Sequence, residues 1–252
     1  MPVAKFVKSP LTEVVCGVEF NALEFSSVHF GLYWQTIKER FPHPPLDRPP
    51  IGNIEIFSIL PSLRRVWFES QDRKRLIQLQ SNRFHYNWRK QENEDQYPHF
   101  NEIYAAFYNE WQELEKWWLD TEQKELSPLR YELTYVNQID KDFSWNSVED
   151  YEKIFSFIGQ NLPKIKLKPQ SLNSIVDFNL GEDIGNLSVK LSQGINPKNN
   201  LSGVVFELTA TTTNTKLDIN EWFKTAHQST IEIFLDLLTN TIKEEWGLTW
   251  LH

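Results

Sequence analysis

The feature that most constrains the fold is a pattern of strands and helices that occurs twice along the 252 residues. The triplet Ser-Pro-Leu stands before the first strand-like run, at residues 9–11, and again before the second, at residues 127–129. In each half that run is followed by a helix pattern, by further strand patterns and by a long amphipathic helix. Such repetition at a constant offset indicates two copies of one supersecondary unit.

Short runs rich in β-branched and aromatic residues predict the strands that follow the first helix of each half. They cover residues 54–59, 64–69, 75–80 and 84–89 in the first half, and 174–180, 187–191 and 204–212 in the second. The first half therefore has one more predicted strand than the second.

Apolar residues spaced i, i+3, i+4 and i+7 predict the helix that ends each half. In the first half this stripe runs from Phe100 to Trp118. In the second it begins after Asp218, a good N-cap residue, and continues to Ile242. A capping-box variant at Ser147 predicts a shorter helix, whose apolar face extends to residue 158.

Strands that run together and then meet a long helix indicate an α+β fold with antiparallel sheets. Each half has the order β-α-β(3–4)-α, and the predicted halves are residues 1–121 and 122–252. We expect them to form one continuous pseudo-symmetric domain, with the long helices on one face of the sheet. This topology is similar to the helix-on-sheet repeat of the TATA-binding-protein fold and to helix-grip cavities, a likeness that carries no function.

The composition excludes several classes of protein. A single cysteine, Cys16, rules out an internal disulfide framework and indicates a cytosolic protein. No apolar run is long enough to span a membrane, and the N-terminus has no secretory h-region. Only 9 glycines leave little for glycine-rich phosphate loops, and the net charge of −8 disfavours non-specific binding to nucleic acid.

The search for catalytic motifs is negative. No two of the six histidines stand at i, i+4 beside a glutamate, and the sequence has no G-x-S-x-G, Walker A or G-x-G-x-x-G motif. We therefore predict no catalytic residues, no metal ligands and no cofactor, and the sequence favours a protein without enzymatic activity.

Residues 64–90 carry eight lysines and arginines against Glu69 and Asp72, a net charge of +6 in an acidic chain. Residues 92–125 follow with a net charge of −8. Period-2 alternation places Phe84, Tyr86 and Trp88 on one face of a strand and the polar residues between them on the other. One interpretation is a site for single-stranded nucleic acid or a phosphorylated ligand. The other is a strand with an aromatic core face and a charged outer face, which the acidic helix of residues 110–125 could cover.

A second notable strand covers residues 131–137, where Tyr135 and Asn137 share one face and Glu132 lies on the other. If Glu132 is buried, we expect an arginine beside it; the alternative is that Glu132 is an exposed residue on the central face of the sheet. The candidate binding residues from both segments are Arg64, Arg65, Arg73, Arg75, Arg83, His85, Asn87, Trp88, Arg89, Glu132, Tyr135 and Asn137.

Several segments together resemble a sporadically distributed, uncharacterised bacterial protein family of about this length. The segments are Pro-Leu-x-Glu-Val at residues 10–14, Tyr-Asn-Trp-Arg at 86–89 and Tyr-Glu-Leu-Thr-Tyr-Val-Asn at 131–137. The likeness covers nearly the whole chain, with Ser9-Pro10 where the family opens Pro-Pro. It implies no known activity, and the sporadic occurrence suggests mobile loci such as phage defence or toxin–antitoxin islands.

Three functions fit these features. The favoured one is a non-catalytic binding protein, a regulatory or accessory component of a bacterial mobile locus whose partner is another protein or a second copy of itself. The second is nucleic-acid or nucleotide binding through residues 64–89. The third is a metal-dependent hydrolase or nuclease that uses dispersed carboxylates. The first two differ on whether the polar face around His85 lies open or under a helix.

Overall fold

A computed structural model describes residues 3–21, 25–50, 65–92, 94–158, 170–195 and 202–251. The predicted strand at 54–59 and the candidate Arg64 lie outside these ranges. The strands are β1 (Val3–Phe6), β2 (Leu11–Asn21), β3 (Leu46–Arg48), β4 (Arg65–Glu69), β5 (Arg75–Gln80), β6 (Arg83–Arg89), β7 (Ser127–Ile139), β8 (Ser174–Gly181), β9 (Gly185–Ile195), β10 (Ser202–Thr211) and β11 (Leu248–Leu251). The helices are α1 (Ser27–Ile37), α2 (Phe100–Glu122), α3 (Tyr151–Ile154), α4 (Ile219–Leu237) and α5 (Asn240–Glu245), with single 3₁₀ turns at Lys141–Phe143 and Val148–Asp150.

Nine strands form one antiparallel sheet in the order β3-β4-β5-β6-β2-β7-β10-β9-β8. The first strands of the two sequence repeats, β2 and β7, pair with each other at its centre. The last strand of each repeat lies beside the first, since β6 pairs with β2 and β10 pairs with β7. The α+β prediction with antiparallel strands is confirmed, and the sheet is continuous across the β2–β7 pair. The likeness to the TATA-binding-protein fold stays an analogy.

Aromatic side chains fill the space between the sheet and the helices. Phe107 and Trp111 of α2 contact the ring of Phe84 on β6. Phe223 of α4 contacts Tyr131 on β7. These rings are buried, so they hold the long helices on one face through apolar area and tilted ring packing. The 14% aromatic content is thus largely core.

The prediction of one long helix up to Ile242 is wrong in its last part. α4 ends at Leu237, Leu238 has extended backbone, and Thr239 caps the separate helix α5 by accepting from Ile242 N (3.3 Å). The break is fixed from outside the segment, because Leu238 forms a β-bridge with Phe155.

The same bridge shortens the helix expected after Ser147. The capping box of Ser147 and Asp150 is present, but the α-helix ends at Ile154, and Phe155 is extended. The Ser156 backbone N–H donates to Leu237 O (2.9 Å) and the Thr239 N–H to Ile154 O (3.0 Å). Backbone pairing between these two segments therefore replaces further helical turns in both.

The chain ends form a small two-stranded sheet that the sequence patterns do not predict, in which β1 pairs antiparallel with β11. Phe6 of β1 packs edge-on against Phe234 and Trp246, while Trp250 of β11 is exposed. Within the described ranges, no helix combines the length and the apolar character that crossing a membrane requires.

Candidate functional site

The face of the sheet opposite α2 and α4 carries mostly polar side chains. Because side chains alternate along a strand, the residues between the buried aromatics of β6 point to this face. They are Arg83, His85, Asn87 and Arg89, and their cross-strand neighbours on β2 include Glu13 and Glu19. The expectation that the acidic helix covers this face is wrong, since α2 packs on the aromatic side of β6. Two acids of α2 instead pair with the α1 region, Glu110 with Arg40 (2.9 Å) and Glu122 with His29 (2.9 Å).

A groove of about 430 Å³ crosses the polar face from β4 to β10. It therefore spans the centre of the sheet, where β2 meets β7. The lining residues are Glu13, Val15, Arg65, Trp67, Gln78, His85, Asn87, Glu132, Thr134, Val136, Glu207 and Thr209. Its volume lies within the range of small-ligand sites.

A chain of hydrogen bonds fixes the floor of the groove. Arg65 Nη1 (2.6 Å) and Trp67 Nε1 (3.0 Å) both donate to Gln78 Oε1. Gln78 Nε2 donates to Asn87 Oδ1 (2.8 Å), and Asn87 Nδ2 donates to Glu13 Oε1 (2.6 Å). Asn87 is only 1% exposed, and its amide accepts one of these hydrogen bonds and donates another. The chain links four strands and pre-orients the polar groups.

His85 reaches across β2 towards β7 because the residue between them is a glycine. Gly17 is the β2 neighbour of both His85 and Glu132, and a Cβ at Gly17 would lie 2.5 Å from His85 Cδ2. The imidazole Nε2 lies 3.9 Å from Glu132 Oε1, beyond hydrogen-bonding distance. Burial lowers the pKa of His85, which is 4% exposed, so the ring is neutral at neutral pH.

Three carboxylates lie along the β2–β7–β10 part of the groove. Glu13 and Glu207 both stand opposite Val136 of β7, one from each side. Burial raises the pKa of Glu13; the Asn87 hydrogen bond and Arg89 oppose this, whereas the charge of Glu207 adds to it. Glu132 has Arg83 Nη1 at 3.8 Å, so its expected arginine neighbour is present at a long distance.

The β3–β4 end of the groove is cationic. Arg48 and Arg65 face each other across these strands, and their guanidinium carbons lie 4.5 and 5.5 Å from the centre of the Trp67 ring. Burial lowers the pKa of Arg65, and the charge of Arg48 lowers it further. Arg65 Nε is buried and, like Arg83 Nε and Arg89 Nε, has no hydrogen-bond partner among the described residues.

Arg83 and Arg89 are largely neutralised by acids on the same face. Arg83 Nη2 lies 3.1 Å from Glu19 Oε2, and Arg89 Nη2 donates to Glu69 Oε1 at 2.6 Å. Both arginines therefore border the groove as ion pairs.

The structure brings together four of the candidates from the sequence, Arg65, His85, Asn87 and Glu132. Arg73 and Arg75 lie at the turn between β4 and β5 and are exposed.

Three other candidates lie on the aromatic side of the sheet. Trp88 packs against Tyr97, the Tyr135 hydroxyl lies 2.8 Å from His227 Nδ1, and Asn137 Nδ2 donates to Phe206 O (3.2 Å). They are buried in the core, where alternation along β6 and β7 places them, and they are not part of the groove.

Sequence reasoning did not single out Glu13, Trp67, Gln78 and Glu207 as candidates, although they line the groove. The available signal was alternation: Trp67, Gln78 and Glu207 each stand between two buried apolar residues of a strand, and Glu13 directly precedes the buried Val14. What could not be derived was the strand order that brings them together.

Comparison with protein-family models and with curated proteins finds no match for this chain. The resemblance of the 10–14, 86–89 and 131–137 segments to a bacterial family stays a prediction.

Proposed function

We propose that the protein is a non-catalytic binding protein and that the groove on the polar face is its binding surface. The observation that carries this proposal is the polar floor, held in one geometry by the hydrogen-bond chain from Arg65 to Glu13. Preorganised polar groups lose little conformational entropy when a partner binds.

Two side chains at the floor of the groove have polar atoms available to hydrogen-bond a bound partner. Neither ring nitrogen of His85 makes a hydrogen bond within the described part of the chain, although the side chain is almost fully buried. Arg65 Nε likewise has no acceptor. Arg65 Nε is a buried atom, and buried polar groups are normally satisfied, so a partner that accepts a hydrogen bond from it would gain affinity.

Few of the side chains that would bind nucleic acid lie in the groove. Its stacking aromatics Phe84, Tyr86 and Trp88 are core residues, and the open aromatic of the groove is Trp67. The groove also holds three glutamates, which repel phosphates. This alternative stays a prediction that rests on Arg48, Arg65 and the exposed Arg73 and Arg75.

For the hydrolase alternative, the carboxylates available in the groove are those of Glu13, Glu132 and Glu207. Over the described ranges, no group of three or more histidine, cysteine or acidic side chains could hold a metal ion.

The binding proposal can be tested with a substitution that fills the groove. Val136→Arg places a long side chain between Glu13 and Glu207, which can pair with it, so we expect the variant to fold. Leu129→Arg is the matched control, because Leu129 is on the same strand, is 54% exposed and is not part of the groove.

The measurement is quantitative affinity capture from an extract of the source cells, repeated with the purified partner. We expect a partner that binds the wild type and Leu129→Arg equally and Val136→Arg at least about tenfold more weakly. Capture of no partner, or of a partner that Val136→Arg binds as well as the wild type does, would contradict the proposal.

A further inference from the structure

The charges along the groove are separated by sign, and this separation identifies a class of ligand. We propose that the groove binds an extended protein segment that carries an acidic side chain at one end and a basic side chain at the other. The inference rests on the proposed binding function and specifies its partner.

The cationic end is formed by Arg65, which lines the groove, and by Arg48, which stands opposite it on β3 just outside the lining. Among the described residues, neither guanidinium has a carboxylate within 4.0 Å, whereas Arg83 has two and Arg89 has at least one. The two like charges stand opposite each other on β3 and β4 with Trp67 beside them. A carboxylate placed here would relieve their repulsion and accept charge-assisted hydrogen bonds, including one from the unpaired Arg65 Nε.

The acidic end is formed by Glu132 on β7 and Glu207 on β10, with Glu13 next to them on β2. The nearest cationic nitrogen to Glu132 is 3.8 Å away and belongs to Arg83, which makes its shorter contact with Glu19. Lys190 stands opposite Glu207 on β9, but it is exposed and outside the groove lining. A lysine or arginine of a partner would therefore find Glu207, which has no cationic nitrogen of the described residues within 4.0 Å, beside Glu132, which shares Arg83 with Glu19.

His85 lies between the two ends and supplies an observation independent of the acidic cluster. Its side chain is 5% exposed, lines the groove, and makes no hydrogen bond to the described residues. A neutral imidazole has one donor and one acceptor nitrogen, which suits a peptide N–H or C=O passing over it.

The distance between the ends favours a chain over a small molecule. Arg65 and Glu132 are four strand positions apart in the sheet, and at about 4.8 Å per strand their backbones are about 19 Å apart. An extended peptide advances about 3.3 Å per residue, so about six residues cover this distance. An extended chain follows this whole distance, whereas an oligonucleotide would place phosphates over the carboxylates.

The experiment selects a display library of random peptides, each longer than this span, on the full-length protein. The selected peptides are then titrated against the charge-removing variants Arg65→Gln and Glu132→Gln. Arg75→Gln and Glu182→Gln are matched controls, because both side chains are exposed and outside the groove. Val136→Arg reports whether a peptide occupies the groove at all.

We expect selected peptides to carry an acidic and a basic residue about six positions apart. Each groove variant should weaken their binding about tenfold, and the two controls should leave it unchanged. Peptides that lose binding to Val136→Arg but show no such charge pattern would overturn this inference and leave the binding function intact. A selection that yields no groove-dependent peptide also overturns the inference, while the capture experiment with Val136→Arg decides the binding function separately.

Discussion

At the scale of single residues, the groove depends on one glycine in the middle of β2. Gly17 lets the His85 ring lie across the strand, and a Cβ there would come within 2.5 Å of Cδ2 and 2.9 Å of Nε2. His85 is buried, so its ring has little room to move aside. The absence of a side chain at position 17 thus sets the position of a polar group on the neighbouring strand.

Gly17→Ala should lower the free energy of unfolding by about 1–3 kcal/mol, the usual cost of overpacking. In a His85→Ala background the same change should cost much less, because the ring that it displaces is gone. Urea unfolding of the four proteins in this double-mutant cycle measures the difference.

Gly31→Ala provides the control for this cycle. Gly31 is exposed in α1 and a Cβ there would meet nothing within 4 Å, so the helix should gain up to about 1 kcal/mol. If Gly17→Ala lowers the free energy of unfolding equally with and without the His85 ring, the close approach of that ring is not the reason for the glycine.

At the scale of secondary-structure elements, the joint between α2, α4 and β7 contains a buried histidine. His227 of α4 stacks on Phe100 of α2 with ring centres 4.1 Å apart, and its Nδ1 lies 2.8 Å from the Tyr135 hydroxyl of β7. Burial lowers the pKa of His227 to about 4. Charging this ring therefore opposes the packing of both long helices on the sheet.

The joint should weaken as pH falls from 7 to 5. The pKa of His227 is lower in the folded protein than in the unfolded chain, so the unfolded chain binds more protons in this interval. The free energy of unfolding should thus fall by about 2 kcal/mol from this group. His227→Gln keeps a hydrogen-bonding group and does not titrate, and urea unfolding at the two pH values should show a smaller loss for it.

The pKa values of His85 and Glu13 are also shifted, with opposite effects on the pH dependence of stability. The lowered pKa of His85 adds to the loss of stability on acidification, and the raised pKa of Glu13 opposes it. Because both groups are present in wild type and in His227→Gln, the difference between the two proteins isolates His227. Equal pH dependence of the two would contradict the assignment.

The helices and strands could be predicted from the sequence where a pattern within one segment determines them. They could not be predicted where a contact with a distant segment determines them. Alternation along 84–89 identifies β6, and the stripe from Phe100 to Trp118 identifies α2, because both patterns lie within one segment. The break at Leu238 has its cause 83 residues away, in the bridge to Phe155. The groove likewise required the pairing of β2 with β6 and β7, which places Glu13 near Asn87 and Glu132 near His85.

At the scale of the whole molecule, the two sequence repeats share one sheet and one core. Cys16 of β2 and Leu133 of β7 stand opposite each other at the junction, and both are fully buried. The groove also crosses this junction, since Arg65 and His85 come from the first repeat and Glu132 and Glu207 from the second. The groove therefore exists only when the two repeats are joined.

This arrangement predicts that the two repeats unfold as one cooperative unit. Leu133→Ala leaves a cavity at the junction and should lower the free energy of unfolding by about 2–5 kcal/mol. Native-state amide hydrogen exchange should lose protection equally in β5 and in β9, which lie on opposite sides of the junction. Ile175→Ala, at a 65% exposed position on β8, should leave the free energy of unfolding and the protection of β5 and β9 unchanged. Loss confined to β9 would mean that residues 1–121 and 122–252 fold independently, and the groove would then form by docking of two preformed units.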